Sequence, residues 1–298
     1  TGFEKINGNQ DPKINNGNII NQVTVKKRDG IVLLGRLSEI RNAPFLNGSF
    51  AKVYDSEGIQ KRRSFYTYDS NYGGGTQIIK LAKKTIVASN TYVSIYNSRG
   101  QKIEKFAPYG EQYSDGINIS IGYLHKKYSR GRTLVVGSKE SGGQIRMYSL
   151  GGNLVHPGCF PYGTGFNGGI NISTGNVTGS IAEEIVVAPA SSGGPHVKIL
   201  NRTCSEIMPG FMAYDEGSSS GVSVGVGDIN GEGKDEIVTG PGKGLAPHVK
   251  IFNAKGKVLS PGFFPYSTDN KSGLFITVAD IDNNGVYEII TNSYSEFQ

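Results

Sequence analysis

Two nearly identical phrases decide the fold: Pro195-His196-Val197-Lys198-Ile199-Leu200-Asn201 and Pro247-His248-Val249-Lys250-Ile251-Phe252-Asn253. Degenerate copies begin at Phe50 (FAKVYD), Tyr92 (YVSIYN) and Gln144 (QIRMYS), so positions 50, 92, 144, 196 and 248 are equivalent and step by 42, 52, 52 and 52 residues. Three further features keep that step. A tyrosine closes each unit, at Tyr68, Tyr109, Tyr162, Tyr214 and Tyr266. A glycine-led alternating run opens four of them, GINIS at Gly116 and Gly169, GVSVG at Gly221 and GLFIT at Gly273. An apolar run lies between, as IVLLG, TIVAS, TLVVG, EIVVA, EIVTG and EIITN. Repeats of roughly 40–50 residues with about four short apolar runs each predict an all-β propeller in which one unit is one four-stranded blade. A β-solenoid would need shorter repeats.

The totals agree with that reading. The chain has 43 Gly in 298 residues, more than twice the roughly 7% average, and they fall where turns need positive φ or close packing. Helix-period patterns are missing. No stretch approaches the ~20 apolar residues that span a bilayer, and no charged-then-apolar signal peptide opens the chain. It begins at Thr1 without Met, so a processed product or a cut fragment is expected. Cys159 and Cys204 fit no metal spacing. They are either two separate thiols or a disulfide between neighbouring blades. Asn-x-Ser/Thr triplets at Asn118 and Asn171 fall within expected strands and are poor glycosylation acceptors.

Taking the glycine-led run as strand one, the IV run as strand two, the HVKIFN phrase as strand three and the segment ending in Phe-Pro-Tyr as strand four, blades are expected at about 17–68, 76–109, 116–162, 169–214 and 221–266. Residues 273–292 then hold only two strands. Segment 3–15, with Phe3-Glu4-Lys5-Ile6-Asn7 as a weak third-strand match, is expected to complete that blade, giving one propeller domain over 1–298 with six blades closed by both termini.

Chemistry concentrates in the loop between strands one and two. Asp228-Ile229-Asn230-Gly231-Glu232-Gly233-Lys234-Asp235-Glu236 and, in the same register, Asp280-Ile281-Asp282-Asn283-Asn284-Gly285-Val286-Tyr287-Glu288 place oxygen side chains at positions 1, 3, 5 and 9 and Gly at position 6. That spacing wraps one hard cation, for which Ca2+ is the natural guest, and the position-7 carbonyl can add a ligand. Solvated Asx-type turns would keep the same loop shape without metal. The loop Asn176–Glu184 has one carboxylate at a ligand position and is expected to be empty.

These loops, their place after a glycine-led strand and the EIV run that follows resemble the FG-GAP/VCBS repeats of integrin-alpha-like propellers. The resemblance is strong from about Gly116 onward. It implies a calcium-stabilised extracellular propeller used in adhesion or ligand binding. It also implies ligands from Asp228, Asn230, Glu232 and Glu236 with the Lys234 carbonyl, and from Asp280, Asp282, Asn284 and Glu288 with the Val286 carbonyl. The family has Asp at position 5, where Glu232 is longer and Asn284 neutral.

Net charge is lopsided. Residues 1–149 carry 23 Lys+Arg against 11 Asp+Glu, whereas residues 150–298 carry 8 against 14. In the earlier units the one-to-two loops are basic, with Lys26, Lys27 and Arg28, then Lys83 and Lys84, then Lys126, Lys127, Arg130 and Arg132. They form either a scattered soluble surface or a positive arc for an anionic polymer, a glycan, an acidic protein surface or another copy of the chain. Nucleic acid is disfavoured, because tyrosines track strand positions and do not interleave with the basic loops.

His196 and His248 stand where other units have Gln144, Tyr92 and Phe50, so a structural role at the strand entry is expected. There is no phosphate-binding glycine loop and no His-Glu-x-x-His. The expected function is therefore a non-enzymatic binding or adhesion module, extracellular or at the cell surface. The alternatives are a structural subunit joined through its oppositely charged halves and, behind it, a propeller lyase or hydrolase. The last needs convergent acids or bases on inner strands that read INIS, INIS, VSVG and FITV.

Overall fold

Apolar runs flanked by glycine turns become strands buried on both faces when identical sheets stack side by side. In the computed structural model, residues 40–62, 64–67, 77–125 and 131–293 are described, together with the backbone of four short strands, β1 (Ile14–Asn15), β2 (Asn18–Ile19), β3 (Thr24–Lys27) and β4 (Gly30–Leu33). Three consecutive blades are four-stranded antiparallel meanders. Blade II holds β12 (Ile117–Gly122), β13 (Thr133–Ser138), β14 (Ile145–Ser149) and β15 (Leu154–Cys159). Blade III holds β16 (Ile170–Gly175), β17 (Glu184–Pro189), β18 (His196–Leu200) and β19 (Glu206–Met212). Blade IV holds β20 (Val222–Gly227), β21 (Glu236–Pro241), β22 (Val249–Phe252) and β23 (Val258–Phe263). Burial falls from channel to rim, complete along β12 and β13 and mostly lost along β15.

The ring has five blades, not six. Blade I is β8 (Gln77–Lys80), β9 (Lys84–Ala88), β10 (Val93–Asn97) and β11 (Lys102–Phe106), with β5 (Pro44–Leu46) added as an innermost fifth strand. Blade V joins β24 (Leu274–Ala279) and β25 (Glu288–Ser293) to β6 (Ser49–Tyr54) and β7 (Phe65–Thr67), through pairs such as Ile290 with Val53 and Thr291 with Lys52. Neighbouring inner strands touch in sequence around the ring, and β5 meets β24 to close it.

The strands expected as a blade at 17–68 are thus divided. β3 pairs with β4, β5 joins blade I, and the FAKVYD phrase in β6 takes the third-strand place that was expected for residues 3–7. Ile14–Asn15 pairs with Asn18–Ile19. Residues 3–7 and Tyr68 lie outside the described residues.

The physical reason for this closure is a lock repeated at four of the five junctions. The tyrosine ending one blade reaches into the next. Tyr162 Oη lies 2.6 Å from the His196 carbonyl oxygen and 3.0 Å from that of Val187. Tyr109 Oη lies 2.9 Å from the Val136 and Gln144 carbonyl oxygens, and Tyr214 Oη donates to the His248 carbonyl at 2.7 Å. The basic residue of the third-strand phrase then covers that ring: Lys250 lies over Tyr214 at 4.9 Å, Lys198 over Tyr162 at 5.4 Å and Arg146 over Tyr109 at 5.5 Å. At the closing junction Lys52 lies 3.9 Å over Tyr266 and donates to the Pro265 carbonyl at 3.0 Å. FAKVYD carries the lysine that Tyr266 requires.

A polar belt ties the inner strands together. Gln77 Nε2 donates to Asn118 Oδ1 at 2.9 Å, Asn118 Nδ2 to Asn171 Oδ1 at 3.0 Å, and Asn171 Nδ2 to the Val222 carbonyl at 2.8 Å. Buried amides need such partners. On the rim, β15, β19 and β23 each carry a Pro-Gly pair where the ladder shifts register, at Pro157-Gly158, Pro209-Gly210 and Pro261-Gly262. A proline and a bulge blunt an open sheet edge. Gly158 sits at φ 89°, and a Cβ there would collide with the Ile145 carbonyl.

Cys159 at the end of blade II and Cys204 in the last hairpin of blade III form a disulfide with Cα atoms 6.1 Å apart, spanning 45 residues. Serine at both positions should lower stability by up to about 4 kcal/mol on the chain-entropy scale, read as a shift of the urea midpoint. Tyr214→Phe removes a hydroxyl whose partners stay buried, and should lower it by about 1–3 kcal/mol. Unchanged midpoints would mean that blade junctions do not limit stability.

Candidate functional site at the channel mouth

The one-to-two loops gather around one end of the channel. In the blade V loop Asp280, Asp282 and Glu288 present carboxylate oxygens within 4.8 Å of one another. Asp280 Oδ1 and Oδ2 accept the Asn284 and Gly285 amides at 3.1 and 3.0 Å, Asp282 Oδ1 accepts the Asn284 amide at 3.2 Å, and Glu288 Oε2 accepts the Ile281 amide at 2.9 Å. Val286, whose carbonyl the resemblance assigns, donates its amide to Asn284 Oδ1 at 2.7 Å.

The blade IV loop repeats the hydrogen-bond pattern, but its carboxylates do not form a group of three within 4.8 Å as those of blade V do. Asp228 accepts the Glu232 and Gly233 amides at 3.0 and 2.7 Å, and Glu236 accepts the Ile229 amide at 3.2 Å and Asn230 Nδ2 at 3.0 Å. Glu232 and Lys234 are exposed. Burial, then the neighbouring charges of Asp228, Asp235 and Glu232, push the Glu236 carboxyl up to about 7. Glu288 is raised as well, by burial and then by Asp282 and Asp280.

Crowded carboxylates of this kind are what a divalent cation relieves. In blade III the corresponding Glu184 is instead held by hydroxyls, with Thr178 Oγ1 and Ser180 Oγ each donating at 2.7 Å. Two neutral donors stand there at positions 3 and 5, where the other loops carry Asn230 and Glu232 or Asp282 and Asn284.

The residue just before the last ligand position had no evident role in the sequence. In the structure it clasps the preceding blade. Glu183 Oε2 accepts the Tyr123 amide at 2.9 Å, Asp235 Oδ2 accepts the Asn176 amide at 2.6 Å, and Tyr287 donates its amide to the Asp228 carbonyl at 2.8 Å. Arg132, in the same register of blade II, donates to Asn42 Oδ1 at 2.6 Å and lies 5.0 Å over the Tyr123 ring. The glycine ending each preceding inner strand makes room. A Cβ at Gly122 would lie 2.7 Å from Glu183 Oε2, and one at Gly227 would lie 2.7 Å from Tyr287 Cδ1. That glycine, placed before a loop whose eighth residue is polar, is the signal that could have found these positions.

Inside the clasps lies a polar cavity of about 300 Å³. Arg41, Arg132, Glu183, Asp235, Asp280 and Tyr287 stand around it, above inner-strand hydroxyls such as Ser120 and Thr174, which are 2.9 Å apart. Tyr287 is raised above its ordinary value by burial and then by Asp235, Asp280 and Glu183, with Arg132 opposing.

The basic positions do not share one environment. Arg132 faces the cavity, Lys84 Nζ donates to the Leu150 carbonyl at 2.6 Å and so bridges blades, and Lys83 is exposed. Lys26 and Lys27 fall in β3, whose side chains, like Arg28, Lys126, Lys127 and Arg130, lie outside the described residues. His248 stacks on Phe264 at 4.4 Å with Nε2 2.9 Å from the Pro261 carbonyl oxygen, and burial lowers its pKa.

The chain is a β-propeller. No protein-family model matches the sequence, and no curated protein matches it. Among solved structures, the WD40 domain of Neurospora crassa Pan2 is similar at 13% identity and TM-score 0.44, over 85% of both chains. The rhamnogalacturonan lyase YesW aligns at 15% identity and TM-score 0.40, over 91% of this chain and 57% of its own. The exotype rhamnogalacturonan lyase YesX aligns at 11% and 0.39, over 90% and 55%. The chain thus spans little more than half the length of the two lyases.

Glu236 yields a pH prediction. Its folded pKa of about 7 lies above its ordinary value of 4.5, so between those values the native state binds more protons than the unfolded chain, and stability falls as pH rises through that window. Urea midpoints in chelator should decline from about pH 4.5 to about pH 7, and Glu236→Gln should flatten that decline. An equal slope in the variant would remove Glu236 as its source.

Proposed function

We propose that the protein is a calcium-stabilised propeller of the FG-GAP/VCBS type, working as a non-enzymatic binding or adhesion module outside the cell or at its surface. The convergence of Asp280, Asp282 and Glu288 within 4.8 Å, in a loop of calcium-binding spacing, carries this reading. The blade IV loop supports a second Ca2+ through Asp228, Asn230, Glu232 and Glu236, with Lys234 through its carbonyl. The Cys159–Cys204 disulfide supports an oxidising location. The use of the inner-strand amides in the belt between blades supports binding over catalysis, and makes the lyase or hydrolase alternative the weaker one. The partner is an anionic polymer, a glycan or a protein, met at the loop face where Lys83 is exposed.

A second reading, a structural subunit of a surface assembly, is favoured by the rim. Leu154, Val155, Val258 and Leu259 are about half exposed at corresponding places of blades II and IV. Sedimentation across a salt series separates the two, since a subunit joined by opposite charges dissociates as salt rises.

Calcium that binds only the native loops stabilises by mass action, by about 3–4 kcal/mol at 100- to 1,000-fold over its dissociation constant. Chelation should therefore lower the melting temperature, and Asp228→Ala and Asp280→Ala should each remove part of that difference. A melting temperature indifferent to both calcium and chelator would refute the metal assignment.

A further inference from the structure

At four of the five blade junctions the tip of a three-to-four hairpin meets the outer strand of the preceding blade. The fourth residue of that hairpin donates its amide to the first, as Gly58 to Asp55, Gly152 to Ser149, Cys204 to Asn201 and Gly256 to Asn253, at 3.0–3.1 Å. Its backbone is left-handed in all four, with φ 79°, 87°, 62° and 75°. Glycine suits that geometry, and of the four only Cys204 has a Cβ to strain there.

Glycine is also what the neighbouring blade requires. A Cβ on Gly256 would lie 2.5 Å from Phe211 Cβ, one on Gly58 2.5 Å from the Phe263 ring, and one on Gly152 3.4 Å from the Phe106 ring. Phe106, Phe211 and Phe263 hold one register position, opposite Val93, Val197 and Val249 of their own sheets. In blade II that position, opposite Ile145, is Cys159. The aromatic-on-glycine contact of three junctions is thus exchanged, at both of its ends, for the Cys159–Cys204 disulfide.

The outer part of the blade II–III seam therefore rests on one covalent bond. β15 is an edge strand, mostly exposed, and its ladder to β14 shifts register twice. Both cysteines are half-buried, beside exposed Phe160, Thr203 and Ser205, so a thiolate can reach a sulfur. Beneath them lie Met147 and Leu200, buried in the cluster against which both cysteines pack. Deeper in the same junction the Tyr162 lock, the Asn118–Asn171 bond and the Glu183 clasp hold without any disulfide.

We propose that the Cys159–Cys204 pair is a reversible redox site that latches the outer part of the blade II–III junction, and that a dithiol releases it without opening the ring. One thiolate of the dithiol attacks a sulfur of the pair and its second thiol displaces the remaining cysteine. Two electrons and two protons pass to Cys159 and Cys204, and the reductant closes into its own disulfide. Cys204 is then left in a left-handed backbone with no bond to hold it, and Cys159 is too small to cover the seam as phenylalanine does elsewhere. β15 and the 201–205 hairpin part, and Met147 and Leu200 gain access to solvent. The site is independent of the calcium loops, and goes beyond the adhesion reading by giving the propeller a response to reductant.

The test is hydrogen–deuterium exchange of the full chain in calcium, oxidised and in dithiothreitol. Both thiols should be released under native conditions, with the amides of residues 154–159 and 201–205 exchanging about tenfold faster or more while those of Ile117–Gly122 and Ile170–Gly175 stay as they were. Reoxidation should restore slow exchange. Cys159→Phe combined with Cys204→Gly rebuilds the contact of the other junctions and should exchange like the oxidised protein with or without dithiothreitol. Cys159→Phe alone sets the ring against the Cys204 Cβ and should exchange like the reduced protein. A native disulfide closed to dithiothreitol would overturn the proposal. So would equal exchange at 154–159 and 201–205 before and after reduction, acceleration spread evenly over all blades, or a double variant that exchanges like the reduced chain.

Discussion

At four of the five blade junctions a tyrosine hydroxyl reaches into the neighbouring sheet, and the lysine or arginine of the neighbour's third strand lies over the same ring. Each lock satisfies backbone carbonyls that would otherwise face an apolar junction, where an unmade hydrogen bond is expensive. It also sets which blade can follow which, because the tyrosine and the basic residue belong to different units. Tyr109 with Arg146, Tyr162 with Lys198, Tyr214 with Lys250 and Tyr266 with Lys52 are four instances of one contact. The fourth brings residue 52 against residue 266 and closes the ring.

The chemistry at the channel mouth follows from that stacking. Inner strands end in glycine at Gly122, Gly175 and Gly227, so the next blade's loop can lay a side chain across the strand end. Glu183, Asp235 and Tyr287 do so, and are thereby held at fixed places around the polar cavity by backbone hydrogen bonds. The next residue along, Glu184, Glu236 or Glu288, turns back into its own loop. Adjacent residues of one turn thus serve two purposes, one facing the shared cavity and the other completing a cation-type cage. In blade III hydroxyls donate to the corresponding Glu184 instead.

The repeat, the all-β class and the strand-one-to-strand-two loops were legible in the chain, because each depends on a pattern that recurs within every unit. Glycine at position 6, oxygen side chains at alternate positions and an apolar run beyond dictate a local turn and the strand after it. The charge arc was legible only as charge. Side-chain direction depends on the neighbouring blade, and so Arg132 turns into the polar cavity while Lys84 bonds the Leu150 carbonyl.

By itself the sequence determined the blade: its four runs, its closing tyrosine, its basic third strand and its acidic loops, all properties of a single repeat. Only the tertiary structure decided how many blades close, because closure is a contact between segments more than two hundred residues apart whose local patterns are compatible with either neighbour. Phe50–Asp55 reads as a third strand wherever it is placed. That it pairs with Glu288–Ser293, leaving Pro44–Leu46 to plug the channel, depends on the fit of Lys52 to Tyr266 and of Val53 to Ile290. The pairing of Cys159 with Cys204, open in the sequence, and the polar cavity were settled the same way: both are made where two repeats meet, and no single repeat contains either.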